Sequence, residues 1–157
     1  MKEVAILLAV ALMLNGCGSS RTQTAQNAAS GIWSANLQGG TGDASGFSFT
    51  TQFTVNGDGS LNITYFQFLT AGTCFPVSGG NQTGSMVLST NTSTNAVSGT
   101  FTYSEQSGNN TLTLNGTVTG TASGTTLSGG SITGTWSVNG DTGCIATGES
   151  FTMKQIS

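Results

Sequence analysis

Hydrophobic and polar residues alternate along most of the chain after Gly31, which is the pattern of half-buried β-strands. The clearest run covers residues 47–55, and its large apolar side chains fall on one face: Phe47, Phe49, Phe53 and Val55. The next residues, Asn56-Gly57-Asp58-Gly59, favour a tight turn, and Leu61 to Tyr65 resumes the alternation. This segment therefore predicts a β-hairpin.

The alternation changes phase after Tyr65, because Phe66 and Phe68 follow on the opposite set of positions. Such a change indicates either a β-bulge or a strand that is buried on both faces. Further runs predict strands at residues 32–37, 85–90, 97–103, 111–118, 131–138 and 149–154, with 125–127 as a candidate extra strand. The connections are short, which favours antiparallel neighbours.

Three glycines occupy positions where the alternation calls for a core side chain: Gly99, Gly116 and Gly134. An inward glycine lets a strand bend sharply, as strands do when a sheet closes. We therefore predict an all-β fold, an antiparallel meander of about eight strands that forms a small up-and-down barrel of the lipocalin or avidin type. A β-sandwich is the alternative. The Gly134-Thr135-Trp136 segment and the meander resemble avidins at the level of the fold alone.

The chain is poor in charge, which excludes one class of partner. Only 6% of its 157 residues are charged, and its formal net charge is −3. The cations of the whole sequence are Lys2, Arg21 and Lys154. Nucleic-acid binding needs a basic surface, so we predict no nucleic-acid partner.

The N-terminus carries an export signal. Lys2 precedes an apolar run at residues 4–14. Such a run makes a helix of about 16 Å, too short for a hydrocarbon core of about 30 Å, so it predicts a cleaved signal peptide. The run ends in Leu14-Asn15-Gly16-Cys17, which resembles the lipobox of bacterial lipoproteins.

This resemblance implies an anchor in the cell envelope. It implies that the chain is cut between Gly16 and Cys17 and that the Cys17 thiol carries a diacylglycerol, with a further acyl chain on the new amine. Gly18, as the second mature residue, implies the outer membrane. We divide the chain into a signal peptide (1–16), a lipidated flexible tether (17–30) and a single β domain (31–157).

Residues 18–30 show no apolar periodicity, as expected of a tether. A flexible segment of this length reaches about 20 Å. The alternative is that part of it folds as a short helix over one end of the barrel.

Lipidation of Cys17 leaves an even pair, Cys74 and Cys144, which we predict to form a disulfide bond. A zinc site lacks ligands, because the chain has no His and no CxxC motif. A catalytic cysteine would likewise lack its His base. We predict no metal and no cofactor.

The acidic residues offer little for catalysis. Two nominal carboxylate pairs, Asp58 with Asp141 and Glu105 with Glu149, could serve a glycosidase. Asp58 and Asp141, however, each follow Asn-Gly in a predicted turn, where Asp makes local hydrogen bonds. The sequence therefore favours a protein that is not an enzyme.

Four aromatic residues are candidates for ligand binding: Trp33, Tyr65, Tyr103 and Trp136. Their rings combine an apolar face with a polar group, which suits a sugar or a small apolar molecule. Trp136 is in phase with core positions, so we expect it in the core. Trp33, near the start of the first strand, is expected at the rim of the barrel.

Three functions are compatible with these observations. The first is a lipid-anchored envelope protein whose β domain has a structural or interaction role without catalysis. The second is a carrier of a small molecule or glycan, which requires an open cavity rather than a core filled by Phe47, Phe49, Phe53, Phe101 and Trp136. The third is a carboxylate glycosidase, which requires two carboxylates in one cleft.

Overall fold

The computed structural model describes residues 19–157, and their side chains from residue 23 onward. The predicted signal peptide and Cys17 lie outside the described residues. The elements are helix α1 (Ser19–Ala29), a short 3-10 turn (Gly42–Ala44) and eight strands. The strands are β1 (Gly31–Leu37), β2 (Ser48–Val55), β3 (Leu61–Thr70), β4 (Asn81–Thr90), β5 (Ala96–Ser107), β6 (Asn110–Ser123), β7 (Thr126–Asn139) and β8 (Ala146–Gln155).

The eight strands form one antiparallel sheet in the order β3-β2-β1-β8-β7-β6-β5-β4. Strands that are consecutive in sequence are neighbours in the sheet, except β3 and β4. The sheet is continued by the pairing of β1 with β8. The edges of β3 and β4 meet at a bridge between Ser60 and Ser85, beside which the Met86 amide donates to the Gly59 carbonyl at 2.7 Å. The predicted meander and barrel are therefore confirmed, and the barrel is nearly closed.

The predicted strands are found, but several are longer than predicted. Strands β6 and β7 each have 14 residues, and the candidate extra strand at 125–127 is the beginning of β7. The phase change after Tyr65 is a bulge: Gln52 pairs with Tyr65 and Phe53 with Ile63, so Thr64 is an extra residue. The bulge turns Phe66 and Phe68 into the core.

Helix α1 corrects the prediction that residues 18–30 are a flexible tether. Ala25, Ala28 and Ala29 lie on one face of the helix and are fully buried. The Trp33 indole N–H donates to the Ala29 carbonyl at 2.9 Å, and the Gln155 side-chain amide donates to the Ala28 carbonyl at 2.8 Å. Alanine combines a high helix propensity with little apolar surface, so this helix leaves almost no periodic signal in the sequence.

The strand directions give the barrel two distinct ends. The end crossed by α1 also holds the turns at 56–60, 91–95 and 124–125, and we call it the helix end. The opposite end holds the connections 38–47, 71–80, 108–109 and 140–145, and we call it the loop end.

Candidate functional site

The loop end is held together by the predicted disulfide bond. Cys74 and Cys144 are bonded, with their Cα atoms 5.6 Å apart and 70 residues between them in sequence. The bond joins the connection before β4 to the connection before β8. The Cys74 sulfur also lies 3.3 Å from the Asp43 carbonyl oxygen, so three of the four connections meet here.

A buried asparagine links the same connections by hydrogen bonds. The Asn110 side-chain amide donates to the Cys74 carbonyl at 2.8 Å, and its Oδ1 accepts from the Asp141 amide at 2.9 Å. Asn109 donates to the Asp141 carboxylate at 3.1 Å. The disulfide and these bonds fix all the connections of the loop end in one arrangement, which is what a recognition surface built from loops requires.

The surface of the loop end is mixed in character. Val77 and Ile145 are exposed at 63% and 57% of their area. Asp43 and Asp141 are also exposed, on the connections 38–47 and 140–145 of the same end. The loop end therefore combines exposed apolar side chains with carboxylates on one surface.

Aromatic rings fill the interior of the barrel from one end to the other. Ring centroids of successive neighbours are 4.8 to 6.5 Å apart along a continuous series: Trp33, Phe53, Phe101, Tyr103, Phe66, Phe68, Phe47 and Trp136. Phe49 packs against Tyr103 at 5.6 Å, and Phe75 closes the loop end against Phe47 at 5.7 Å. The five rings whose packing would fill a carrier's cavity all belong to this packed set: Phe47, Phe49, Phe53, Phe101 and Trp136.

The four candidate ligand-binding aromatics are not brought together. Trp33 is fully buried under α1, which corrects its expected position at the rim. Trp136 is in the core as expected, and its indole N–H donates to the Gln38 carbonyl at 2.9 Å. Tyr103 is buried in the middle of the series, whereas Tyr65 is exposed on the outer face of β3.

A buried carboxylate lies inside the barrel near the loop end. Glu105 is fully buried, and its carboxylate accepts hydrogen bonds from the Gly80 amide and, at 2.7 Å, from the Gln82 side chain. Burial raises the pKa of Glu105, although these two hydrogen bonds oppose the effect. The carboxylate thereby attaches the start of β4 to β5.

Tyr103 lies next to this carboxylate on the same strand. Burial and the Glu105 charge raise the pKa of Tyr103 well above its ordinary value. The Tyr103 hydroxyl lies beside the Thr51 side chain, whose interaction with it opposes this rise in pKa. Thr51 itself donates to the Tyr65 carbonyl at 3.1 Å. Sequence alternation could have located this pair, because Val97, Phe101, Tyr103 and Glu105 all share one phase.

The structure does not bring together the first nominal carboxylate pair, Asp58 and Asp141. Asp58 is in a turn at the helix end and Asp141 is at the loop end, so these two are on opposite ends of the barrel. Asp58 accepts from the Ser60 amide and hydroxyl at 2.9 and 2.7 Å, which lowers its pKa and gives it the turn role expected. Within residues 19–157, no group of three acidic or Cys residues is placed to hold a metal ion.

Glu105 and Glu149 also have different surroundings. Glu149 pairs with Trp136 across β7 and β8, and its carboxylate lies against Gly39. Glu105 is bonded to the start of β4 instead. The strands β6 and β7 separate the two residues in the sheet.

Comparison with known proteins gives no relative. No protein-family model, no curated protein and no solved structure matches this chain. The functional argument therefore depends on the chain's own residues.

Proposed function

We propose that this chain is a lipid-anchored protein of the bacterial cell envelope, in the outer membrane, whose β-barrel is a structural or interaction module without catalysis. The observation that carries the proposal is the Leu14-Asn15-Gly16-Cys17 motif after an apolar run. Two structural features support it. The Cys74–Cys144 disulfide suits an oxidising compartment outside the cytoplasm. The interior is packed with aromatic rings, so a partner would contact the outer surface of the barrel.

Within this proposal, the loop end is the surface that meets the partner. It is on the side of the barrel opposite to α1, the described element that is nearest in sequence to the proposed anchor. Its connections are fixed by the disulfide and by Asn110, so binding loses little loop entropy. The described residues include no helix of the length and apolar character needed to span a bilayer, and the acyl chains would supply the attachment.

The anchor is tested by intact mass spectrometry of protein extracted from bacterial membranes. We expect a chain that begins at Cys17 and carries the mass of two or three acyl chains. The Cys17→Ser variant should lose this mass and leave the membrane fraction, whereas the matched Ser20→Ala variant should keep both. An unacylated wild-type chain would contradict the proposal.

The loop end is tested by site-specific photo-crosslinking in intact cells. A crosslinker at Ile145 or Val77 should form adducts of defined mass with an envelope component. A crosslinker at Asp58, on the helix end, is the matched control and should not form the same adducts. Equal adducts from both ends would contradict this assignment.

A further inference from the structure

We propose that the helix end of the barrel sits directly on the surface of a phospholipid bilayer, so that the domain has a fixed orientation and its loop end points away from the membrane. This inference rests on the proposed lipidation of Cys17. It adds a second membrane contact, made by the folded domain itself, to the acyl anchor.

The first argument is the length of chain between the anchor and the folded domain. Ser19, two residues after Cys17, is already part of helix α1. Two residues span at most about 7 Å, whereas a free tether of 13 residues would reach about 20 Å. Acyl chains on Cys17 would therefore hold the start of α1 within about 7 Å of the headgroups.

The second argument is that α1 is packed as part of the domain and is not a flexible linker. The helix contacts β2, β4, β6 and β7, so it crosses the opening of the barrel. Gln26 donates to the Gly57 carbonyl at 3.3 Å, and Gln155 donates to the carbonyls of Ala28 and Ser30 at 2.8 and 3.0 Å. A membrane that holds the start of α1 must therefore also meet the helix end.

The third argument is the distribution of charge. Of the four side-chain carboxylates within residues 19–157 that are not fully buried, three belong to the loop end: Asp43, Asp141 and Glu149. The helix end has Asp58 and the cation Lys154, the second-last residue of β8. Anionic headgroups attract cations and repel carboxylates, so they favour this orientation. Ile156, exposed at 60%, adds an apolar contact at the same end.

The two tryptophans make the orientation measurable, because they mark opposite ends of the barrel. Trp33 pairs with Gln155 and Trp136 pairs with Glu149, so the two positions are six residues apart along β8. At a rise of about 3.3 Å per residue, this is a separation of about 20 Å along the strand. Trp33 would lie near the lipid and Trp136 far from it.

The experiment is energy transfer from each tryptophan to a dansyl group on lipid headgroups. Acylated protein is reconstituted in phosphatidylethanolamine and phosphatidylglycerol vesicles that contain dansyl-phosphatidylethanolamine. The Trp136→Phe variant reports Trp33, and the matched Trp33→Phe variant reports Trp136. We expect a larger loss of donor fluorescence from Trp33, and equal losses would overturn the proposal.

A longer tether tests the cause of the orientation. A flexible Gly/Ser insert of about 12 residues between Gly18 and Ser19 adds a reach of about 20 Å. It should reduce the transfer from Trp33 towards the value for Trp136. Unchanged transfer from Trp33 would show that the short connection does not set the orientation.

A second measurement uses the wild-type protein, so it does not depend on whether the tryptophan variants fold. Gadolinium-carrying lipids should broaden the amide signals of Asp58 and Gly124 at the helix end and spare those of Gly42 and Asp141 at the loop end. Uniform broadening would overturn the proposal. Flotation of the vesicles distinguishes failure of this inference from failure of the proposed anchor. Protein that floats with the vesicles but has no fixed orientation contradicts only this inference. Protein that does not float contradicts both the anchor and the membrane contact of the helix end.

Discussion

Gly116 on β6 and Gly134 on β7 are directly paired, and Phe101 and Phe151 flank them in the same row of the sheet. A Cβ atom on Gly134 would overlap the Asn115 carbonyl oxygen and lie 2.5 Å from the Gly116 Cα atom. A Cβ atom on Gly116 would lie 2.9 Å from the tip of the Phe151 ring. The two glycines therefore permit a close approach of backbones that the neighbouring rings then cover.

Gly134→Ala should lower the free energy of unfolding by about 1–3 kcal/mol, because the added methyl group overpacks this row. The matched control is Gly57→Ala, where a Cβ atom would meet nothing within 4 Å. It should change the free energy of unfolding by less than about 0.5 kcal/mol. Urea unfolding followed by tryptophan fluorescence measures both. Equal effects of the two substitutions would contradict the packing argument.

Replacing both disulfide cysteines, as in Cys74→Ala with Cys144→Ala, should destabilise the domain. The chain-entropy model gives a loss of about 4 kcal/mol for a loop of this size. Urea unfolding of wild type with and without a thiol reductant provides the comparison. The reductant should lower the urea midpoint of wild type and leave that of the double variant unchanged. A wild-type midpoint that is the same with and without reductant would contradict the prediction.

Glu105 should make stability depend on pH. Burial raises the pKa of Glu105 in the native state, so the folded protein holds this proton at a pH where the unfolded chain has released it. The stability that this proton contributes is fully present below the unfolded pKa of about 4.3 and is lost as pH rises through the native pKa. The Glu105→Gln variant should therefore become more stable relative to wild type as pH rises.

Asp58 provides the comparison of opposite sign for the pH measurement. Hydrogen bonds from Ser60 lower the pKa of Asp58, so its contribution is present above the unfolded pKa and is lost as pH falls through the native pKa. The Asp58→Asn variant should therefore lose less stability than wild type as pH falls. Thermal unfolding across the acidic range measures both variants, and a Glu105→Gln difference that does not change with pH would contradict the assignment.

Gln155→Ala should loosen α1. This side chain donates to the carbonyls of Ala28 and Ser30 and accepts from the Leu127 amide at 3.0 Å. Loss of these hydrogen bonds should cost about 1–3 kcal/mol and accelerate hydrogen exchange of the α1 amides. The matched control is Gln106→Ala, an exposed glutamine of β5. Exchange in α1 that is equal in both variants would contradict the role of Gln155.

The sequence predicts the strands because large side chains mark one face of each. Their ends are harder to locate, since Thr, Ser and Gly extend β6 and β7 without adding apolar positions. Helix α1 is missed for a related reason: its buried face consists of alanines. That omission also explains the error at Trp33, because the helix covers a position that would otherwise be at the rim.

The candidate site is predicted only in part. The disulfide follows from counting cysteines, and the turn role of Asp58 follows from its Asn-Gly neighbours. The role of Asn110 is missed, because a buried amide that bonds two distant connections leaves no periodic mark. Glu105 shares the inward phase of Tyr103, but its partners Gly80 and Gln82 are set by the tertiary fold.

The pairing of β1 with β8 makes the order of folding depend on the end of the chain. Leu37 pairs with Phe151 at one end of this ladder and Trp33 with Gln155 at the other, although more than a hundred residues separate each pair in sequence. Contacts of such long range slow folding, and until β8 is available β1 presents an unpaired edge. A nascent or exported chain would thus remain incompletely folded until β8 emerges, and loss of β8 would leave the edges of β1 and β7 unpaired and prone to aggregation.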